Sequence, residues 1–208
     1  MKLKVCGLKY TSNITALATV QPDYMGFIFY PKSKRYVGLE LTLETLNAVP
    51  KTIEKVAVFV NETLDTILSI CTKYGFKTIQ LHGDETPDFA ATLTNLGYTV
   101  IKAFSVDKDF DFKNTLPYRT FCSYFLFDTK GDGYGGTGHQ FDWNLLHHYD
   151  QITPYFLSGG IELQNVEAIK KMTNFNIHAI DINSKFELEP GLKDVEKVRV
   201  FKQKMDTE

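Results

Sequence analysis

The chain has 208 residues, of which 43% are hydrophobic and 23% charged, an ordinary globular balance that can fill a sizeable core. Its 23 lysines and arginines stand against 25 aspartates and glutamates, and the resulting net charge of −2 excludes recruitment of nucleic acid by bulk charge. No apolar run approaches the roughly 20 residues that span a bilayer, and the N-terminus lacks the apolar core of a signal peptide. We therefore expect no membrane partner.

The chain contains three cysteines, Cys6, Cys71 and Cys122, which cannot all pair and which show no metal-ligand spacing. A reducing cytoplasm is the simplest compartment for such a chain. Cys71 lies in a helical context and Cys122 in a strand context, so we assign both to packing. The sequence indicates no metal site.

Eight apolar runs, punctuated by polar segments, are candidate strands. They recur about every 20 to 30 residues, which is the length of one βα unit. They are continuously apolar, as is typical of parallel strands buried on both faces. The runs are Leu3 to Cys6, Tyr24 to Phe29, Val56 to Val60, Thr78 to Leu81, Thr99 to Phe104, Tyr124 to Asp128, Pro154 to Leu157 and Ile177 to Ile182.

Helical patterns lie between these runs. Ser12 or Asn13 is expected to cap the first helix, Pro87 to occupy the first turn of the fourth, and Asp142 to cap a short helix. The predicted helices are Thr11 to Val20, Leu39 to Ala48, Thr63 to Tyr74, one from Thr86, Asp142 to Leu146, Gln164 to Lys171 and Asp194 to Lys204, with a poorly periodic segment at Asp107 to Asn114. No linker or low-complexity tract interrupts them, so we expect one domain over residues 1–208.

Alternating strands and helices allow an open doubly wound sheet or a closed (β/α)₈ barrel. Eight units in one domain favour the barrel, although 208 residues is near its lower size limit. The first strand is not followed by Gly-x-Gly-x-x-Gly, which counts against a dinucleotide-binding sheet. The predicted fold class is thus a single-domain (β/α)₈ TIM barrel.

A barrel brings the carboxyl ends of its strands to one mouth, where active sites are built. The predicted strand ends place Cys6, Arg35, His82, Asp128 and Asp181 there. Each also has a plainer interpretation: a small buried residue for the cysteine, a solvated charge for the arginine, a turn residue for the histidine and a capping role for either acid. Their convergence favours a catalytic site.

The ends of strands seven and eight predict a phosphate site. In barrels these loops commonly hold phosphate on backbone N–H groups, and Gly159-Gly160 permits a close approach to an anion. Ser184 can add a hydroxyl group and Lys185 a positive charge. Helix caps and tight turns would also explain these residues, but their positions match the expected site, so we expect a small phosphorylated substrate.

Asp128 is followed by a loop with five glycines between Gly131 and Gly138. Such a segment cannot form a helix. Two interpretations are open: a flexible lid over a catalytic acid, or a surface turn whose aspartate caps it.

Several blocks of the chain resemble phosphoribosylanthranilate isomerases, in order and over nearly the whole length. The longest block follows the second strand and another surrounds the sixth. The blocks are Lys4 to Gly7, Gly26 to Val37, Val58 to Asn61, Gln80 to Glu85, Asp128 to Gly131, Tyr134 to Gly138, Phe141 to Trp143, Leu157 to Gly160, Asp181 to Ser184 and Glu189 to Asp194.

The resemblance implies an Amadori rearrangement of N-(5-phosphoribosyl)anthranilate to 1-(2-carboxyphenylamino)-1-deoxyribulose 5-phosphate in tryptophan biosynthesis. It implies that Cys6 is the general base, Asp128 the general acid and Arg35 the ligand of the anthranilate end, with the phosphate held by the glycines after strand seven and by Ser184. One departure is Lys185, where the family often has glycine. A positive φ there would strain the backbone, whereas the lysine charge could compensate.

This chemistry sets conditions on the site. No cofactor is needed, because the substrate's own nitrogen is the electron sink. A carboxyl group is an acid at neutral pH only when burial raises its pKa, and Cys6 must become a thiolate, for which a nearby cation would lower its pKa from about 8.5.

Two rival functions remain open. Another phosphosugar barrel enzyme is one: an aldolase would need a Schiff-base lysine, with Lys102 the inviting candidate and Lys4 a weaker one, and a metal-dependent epimerase would need more His and Asp. A barrel that binds a phosphorylated ligand without turnover is the other. No exposed apolar stripe argues for a dimer, so the sequence leaves the oligomeric state open.

Overall fold

The computed structural model describes residues 1–131 and 140–207, and its centre is a closed barrel of eight parallel strands. Each strand pairs with the next in the chain, and β8 closes on β1. The strands are β1 Lys2–Val5, β2 Tyr24–Ile28, β3 Glu54–Phe59, β4 Thr78–Leu81, β5 Thr99–Val106, β6 Tyr124–Thr129, β7 Tyr155–Leu157 and β8 Ile177–Ile182. The predicted barrel is confirmed, and the open sheet is wrong.

Six α-helices and several short 3₁₀ segments connect the strands in the described part of the chain. The helices are α1 Thr11–Ala18, α2 Leu43–Ala48, α3 Leu64–Tyr74, α4 Pro87–Asn95, α5 Val166–Lys170 and α6 Val195–Asp206. The segments predicted around Asp107 and after Asp142 are 3₁₀ helices, at Phe112–Tyr118 and Trp143–His148. None of the described helices has the length and apolar character needed to cross a membrane.

Threonine hydroxyl groups begin three of these helices. Thr42, Thr63 and Thr86 each accept a hydrogen bond from the backbone N–H three residues on, which satisfies a donor that the helix leaves free. The predicted cap of α1 is wrong: Tyr10 holds that position without a side-chain bond. The amide of Asn13 instead pairs with the backbone of Lys193, at 2.8 and 2.9 Å.

The side chains of the strands divide into two packed layers. Those facing into the barrel form an apolar inner core that includes Val56, Val58, Ile101, Leu126 and Phe156. Those facing outward pack under the helices in a larger cluster. Alternate side chains of each strand point into the barrel. Polar residues at such inward positions, near the carboxyl ends of the strands, therefore reach the mouth of the barrel.

A short hairpin, which no sequence pattern predicted, follows β8. It pairs β9, Glu187–Glu189, with β10, Leu192–Lys193, in antiparallel fashion. The hairpin carries Glu187 and Lys193 to the carboxyl end of the barrel, where both contact groups of the candidate site.

Candidate active site

A cavity opens at the carboxyl ends of the strands. The site residues predicted from the sequence line it, with the exception of Arg35: they are Cys6, His82, Asp128, Ser184, Lys185, Gly159, Gly160 and Asp181. Apolar side chains of Ile28, Val58, Val60 and Ile161 also line it. The cavity can therefore hold a molecule with an apolar part and several polar groups.

Cys6 follows β1 directly and is 4% exposed. Its sulfur occupies space that a missing side chain leaves on the neighbouring strand, since a Cβ on Gly26 would lie 2.7 Å from Sγ. Its backbone N–H donates to the carbonyl of Ile182, which ties it to β8. The local backbone therefore fixes the thiol at the edge of the cavity.

A buried ion pair lies next to this cysteine, at the preceding inward-facing position of β1. Lys4 and Asp181 are partners in the β1–β8 register, and Lys4 Nζ lies 2.9 Å from Asp181 Oδ1. The two side chains are 0% and 5% exposed. Burial lowers the pKa of Lys4, but Asp181 and Cys6 outweigh it and raise that pKa above its ordinary value. Lys4 therefore carries a positive charge at neutral pH.

The pKa of the Cys6 thiol departs from the expectation. Burial raises it, and this effect outweighs the charges of Lys4 and Lys193, which lower it, while Asp181 raises it further. The predicted cations are present, but desolvation has the larger effect. Cys6 is therefore a thiol at neutral pH in this structure.

Asp128 ends the inward row of β6 and is 5% exposed. Its Oδ1 accepts a hydrogen bond of 2.8 Å from the backbone N–H of Thr129. Its Oδ2 lies 3.5 Å from His82 Nε2, and the other ring nitrogen of His82 lies 2.7 Å from Nε2 of Gln80. An acid, an imidazole and an amide thus form a row along the cavity wall.

A second buried ion pair fixes the loop that carries His82. Nζ of Lys102 lies 3.2 Å from Glu85 Oε2, and the carbonyl groups of Gly83 and Ala103 also accept from it, at 2.6 and 3.0 Å. Burial lowers the pKa of Lys102, with Glu85 opposing. Lys102 does not line the cavity. Since its amine is already fully engaged, the geometry argues against a Schiff-base aldolase.

The turn after β7 has a backbone that only glycine adopts easily. Gly159 has φ +90° and Gly160 φ +61°, and a Cβ on Gly159 would overlap Thr129. Lys185 lies in the 3₁₀ turn Ser184–Phe186. It is not among the described residues with positive φ, so the lysine causes no backbone strain there. Its Nζ lies 2.9 Å from Glu162 Oε1.

Arg35 lies beside the cavity. Its side chain passes over Gly7, where an added Cβ would lie 2.7 Å from Arg35 Cδ. The carboxylate of Glu187 accepts hydrogen bonds of 2.6 to 3.0 Å from Nε and Nη2 of Arg35. Nζ of Lys193 also binds Glu187, at 2.7 Å, and Oδ1 of Asn183, at 2.6 Å. The guanidinium group is thus held in place by the hairpin.

Sequence reasoning did not assign Lys4, Gln80, Glu187 or Lys193 to the site. For Lys4 and Gln80 a signal existed, because each lies two positions before a predicted site residue at the end of its strand and so shares the inward face. The glycine-rich loop is mostly outside the described residues, so the lid stays a prediction. In the described part of the chain, no group of three or more His, Cys, Asp or Glu could hold a metal ion.

The closed barrel, with an acid, an imidazole and a thiol at the carboxyl ends of its strands, defines the chain as a (β/α)₈-barrel enzyme. The family model for N-(5'-phosphoribosyl)anthranilate (PRA) isomerase matches residues 3–204. The chain belongs to the N-(5'-phosphoribosyl)anthranilate isomerase family and is an isomerase.

Individual relatives agree over the full length. The N-(5'-phosphoribosyl)anthranilate isomerase of Parabacteroides distasonis is 42% identical over 206 residues, which cover 99% of this chain and 93% of the relative. The crystal structure of phosphoribosyl anthranilate isomerase from Thermotoga maritima has a TM-score of 0.82 at 31% identity, covering 99% of this chain and 98% of that one. A phosphoribosyl anthranilate isomerase in complex with reduced 1-(o-carboxyphenylamino)-1-deoxyribulose 5-phosphate has a TM-score of 0.79 at 29% identity, covering 99% and 98%.

Proposed function

We propose that this chain converts N-(5-phosphoribosyl)anthranilate to 1-(2-carboxyphenylamino)-1-deoxyribulose 5-phosphate, a step of tryptophan biosynthesis, with Cys6 as general base and Asp128 as general acid. The observation that carries the proposal is that Cys6 and Asp128 line one cavity together with the Gly159-Gly160 turn. The related isomerase that was crystallised with a reduced phosphorylated product supports the same ligand class.

The first step requires an acid. The ring oxygen of the ribose is a poor leaving group as an alkoxide, so Asp128 donates its proton to this oxygen while the C1′–O bond breaks. The anthranilate nitrogen supplies the electron pair and becomes an iminium ion. Nε2 of His82 lies 3.5 Å from Oδ2 of Asp128, beside the carboxylate that remains once the proton has left.

The second step requires a base. The iminium ion makes the C2′ proton acidic, and Cys6 as a thiolate removes it, which gives an enolamine. Addition of a proton at C1′ and loss of the proton of the 2′-hydroxyl group then yield the ketone product, and these two transfers balance the proton that Asp128 gave up and the proton that Cys6 took. The cationic iminium next to Cys6 favours the thiolate, and it adds to the charges of Lys4 and Lys193 that already oppose the effect of burial on its pKa.

Binding groups surround the reacting carbons. We infer that Gly159, Gly160 and Ser184 hold the phosphate, and that Lys185 adds its charge by leaving Glu162. The apolar wall of Ile28, Val58 and Val60 suits the anthranilate ring. Arg35 is assigned to the anthranilate carboxylate, and Asp181 and His82 to the sugar.

Two features of the chain support proposals about its domain organisation and its compartment. Strand β1 pairs with β8, so the two ends of the chain meet in one barrel, and we infer that residues 1–208 act as a single catalytic domain. The cysteines are free thiols, which fits the reducing cytoplasm that we propose as the compartment.

The test is a fluorescence assay for consumption of N-(5-phosphoribosyl)anthranilate by the purified chain. We expect turnover without added metal or cofactor, and we expect the Cys71→Ala variant to retain it, because Cys71 is buried in the outer layer away from the cavity. Binding of the substrate without turnover would favour the non-catalytic barrel. Turnover of a different phosphosugar alone would favour the other enzyme class.

A further inference from the structure

Gln80 is a polar residue inside the barrel that the proposed mechanism does not use. It lies on β4, is 1% exposed and lines the cavity. Its Nε2 lies 2.7 Å from His82 Nδ1, whereas its Oε1 has no hydrogen-bond partner among the described residues. A buried polar atom without a partner is costly, so the orientation of this amide calls for a reason.

The contact between the amide and the ring constrains the protons of His82. An amide NH₂ group only donates, so Nδ1 must offer its lone pair and carry no proton. The ring of His82 is then neutral and its proton lies on Nε2. Because Nε2 is the atom 3.5 Å from Asp128 Oδ2, the imidazole presents a donor to the acid.

The opposite orientation of the amide would give His82 a different role. Oε1 would then accept from a protonated Nδ1, and a neutral ring would turn the lone pair of Nε2 towards Asp128. Such a ring would hold the proton of the carboxyl group and hinder its transfer. The orientation in the structure instead stabilises the carboxylate, which is the form of Asp128 after the proton has left.

We propose that Gln80 is a positioning residue for the acid step, which keeps His82 in its Nε2-protonated tautomer so that the ring donates to Asp128 when the carboxylate forms. The proposal rests on the proposed function for the role of Asp128, but its statement about the tautomer does not. In this proposal Gln80 acts through His82.

Nitrogen NMR of the histidine side chains tests the tautomer directly. The chain has five histidines, and the His82→Asn variant identifies the signals of His82. In the unmodified chain at pH 7.5 we expect a protonated Nε2 and an unprotonated Nδ1. A protonated Nδ1 would overturn the proposal, and this measurement needs no variant of Gln80 to fold.

Two variants of Gln80 separate positioning from packing. Gln80→Met keeps the length but cannot donate, and we expect a mixture of both tautomers of His82. Gln80→Glu keeps the shape but accepts, and we expect protons on both ring nitrogens. A single Nε2-protonated form in either variant would refute the proposal, since a residue that only fills space would leave the tautomer unchanged.

Kinetics of the same variants connect the tautomer to the reaction. We expect Gln80→Met to lower kcat about tenfold, a fraction of what an acid step contributes, with KM within about twofold of the unmodified chain. An unchanged kcat with a mixed tautomer would overturn the link to Asp128. If the unmodified chain does not consume N-(5-phosphoribosyl)anthranilate, the proposed function fails, while the NMR result still decides the tautomer.

Discussion

The position of the Cys6 sulfur depends on the absence of a side chain at Gly26. A Cβ at this position would lie 2.7 Å from Sγ and 3.1 Å from Cα of Cys6. Carbon and neighbouring heavy atoms prefer about 3.5 to 4.0 Å, so in Gly26→Ala the sulfur must move by about 1 Å. A displacement of this size can cost about 10²-fold in rate, and overpacking of a core costs about 1 to 3 kcal/mol.

The assay combines kinetics with a double-mutant cycle. We expect Gly26→Ala to lower kcat about 10²-fold at nearly unchanged substrate affinity, because the residues proposed to bind the phosphate and anthranilate ends do not include Gly26. In denaturant unfolding, the cost of Gly26→Ala should be smaller in a Cys6→Ala background, where the closest contact is gone. A variant with unchanged kcat, or an equal stability cost in both backgrounds, would refute this reasoning.

Three further predictions concern charges. Lys102→Met leaves the Glu85 carboxylate buried without its partner, so the free energy of unfolding should fall by about 3 to 5 kcal/mol. Adding Glu85→Gln to this variant should restore most of the loss, and additive losses in the double variant would contradict the prediction. Burial lowers the pKa of His178 to about 4, with Lys2 adding to the effect and Asp23 opposing it. His178 therefore binds a proton less readily in the folded chain than in the unfolded chain. Because of this, the free energy of unfolding should fall as the pH falls from about 6.5 towards 4. The His178→Gln variant should show a weaker dependence on pH over this range. Arg35→Ala should mainly raise KM in the fluorescence assay, and an unchanged KM would remove it from substrate binding.

The strands and the mouth of the barrel were predictable from the sequence because they depend on local patterns. Continuous apolar runs are typical of strands buried on both faces, and the residue types at their ends identify the mouth. The caps of the short helices were predictable only in part. Asn13 has the chemistry of a cap, but its amide pairs with the backbone of Lys193, 180 positions away in the chain.

The electrostatics of the site could not be predicted because they depend on burial and on distant partners. Arg35 is held by Glu187, which is 152 positions away and lies on a hairpin without a strong strand pattern. The direction of the pKa shift of Cys6 depends on whether desolvation outweighs Lys4 and Lys193, and the sequence alone does not give the degree of burial. Lys4 and Gln80 follow from the alternation of side chains only once the barrel is known.

The most direct test of the account measures binding and turnover separately in Cys6→Ala and Asp128→Asn. The account predicts that both variants bind the reduced product analogue with nearly unchanged affinity, while each loses about 10² to 10⁴-fold in kcat on N-(5-phosphoribosyl)anthranilate. A kcat near that of the unmodified chain in either variant would contradict the assignment of that residue as the base or the acid.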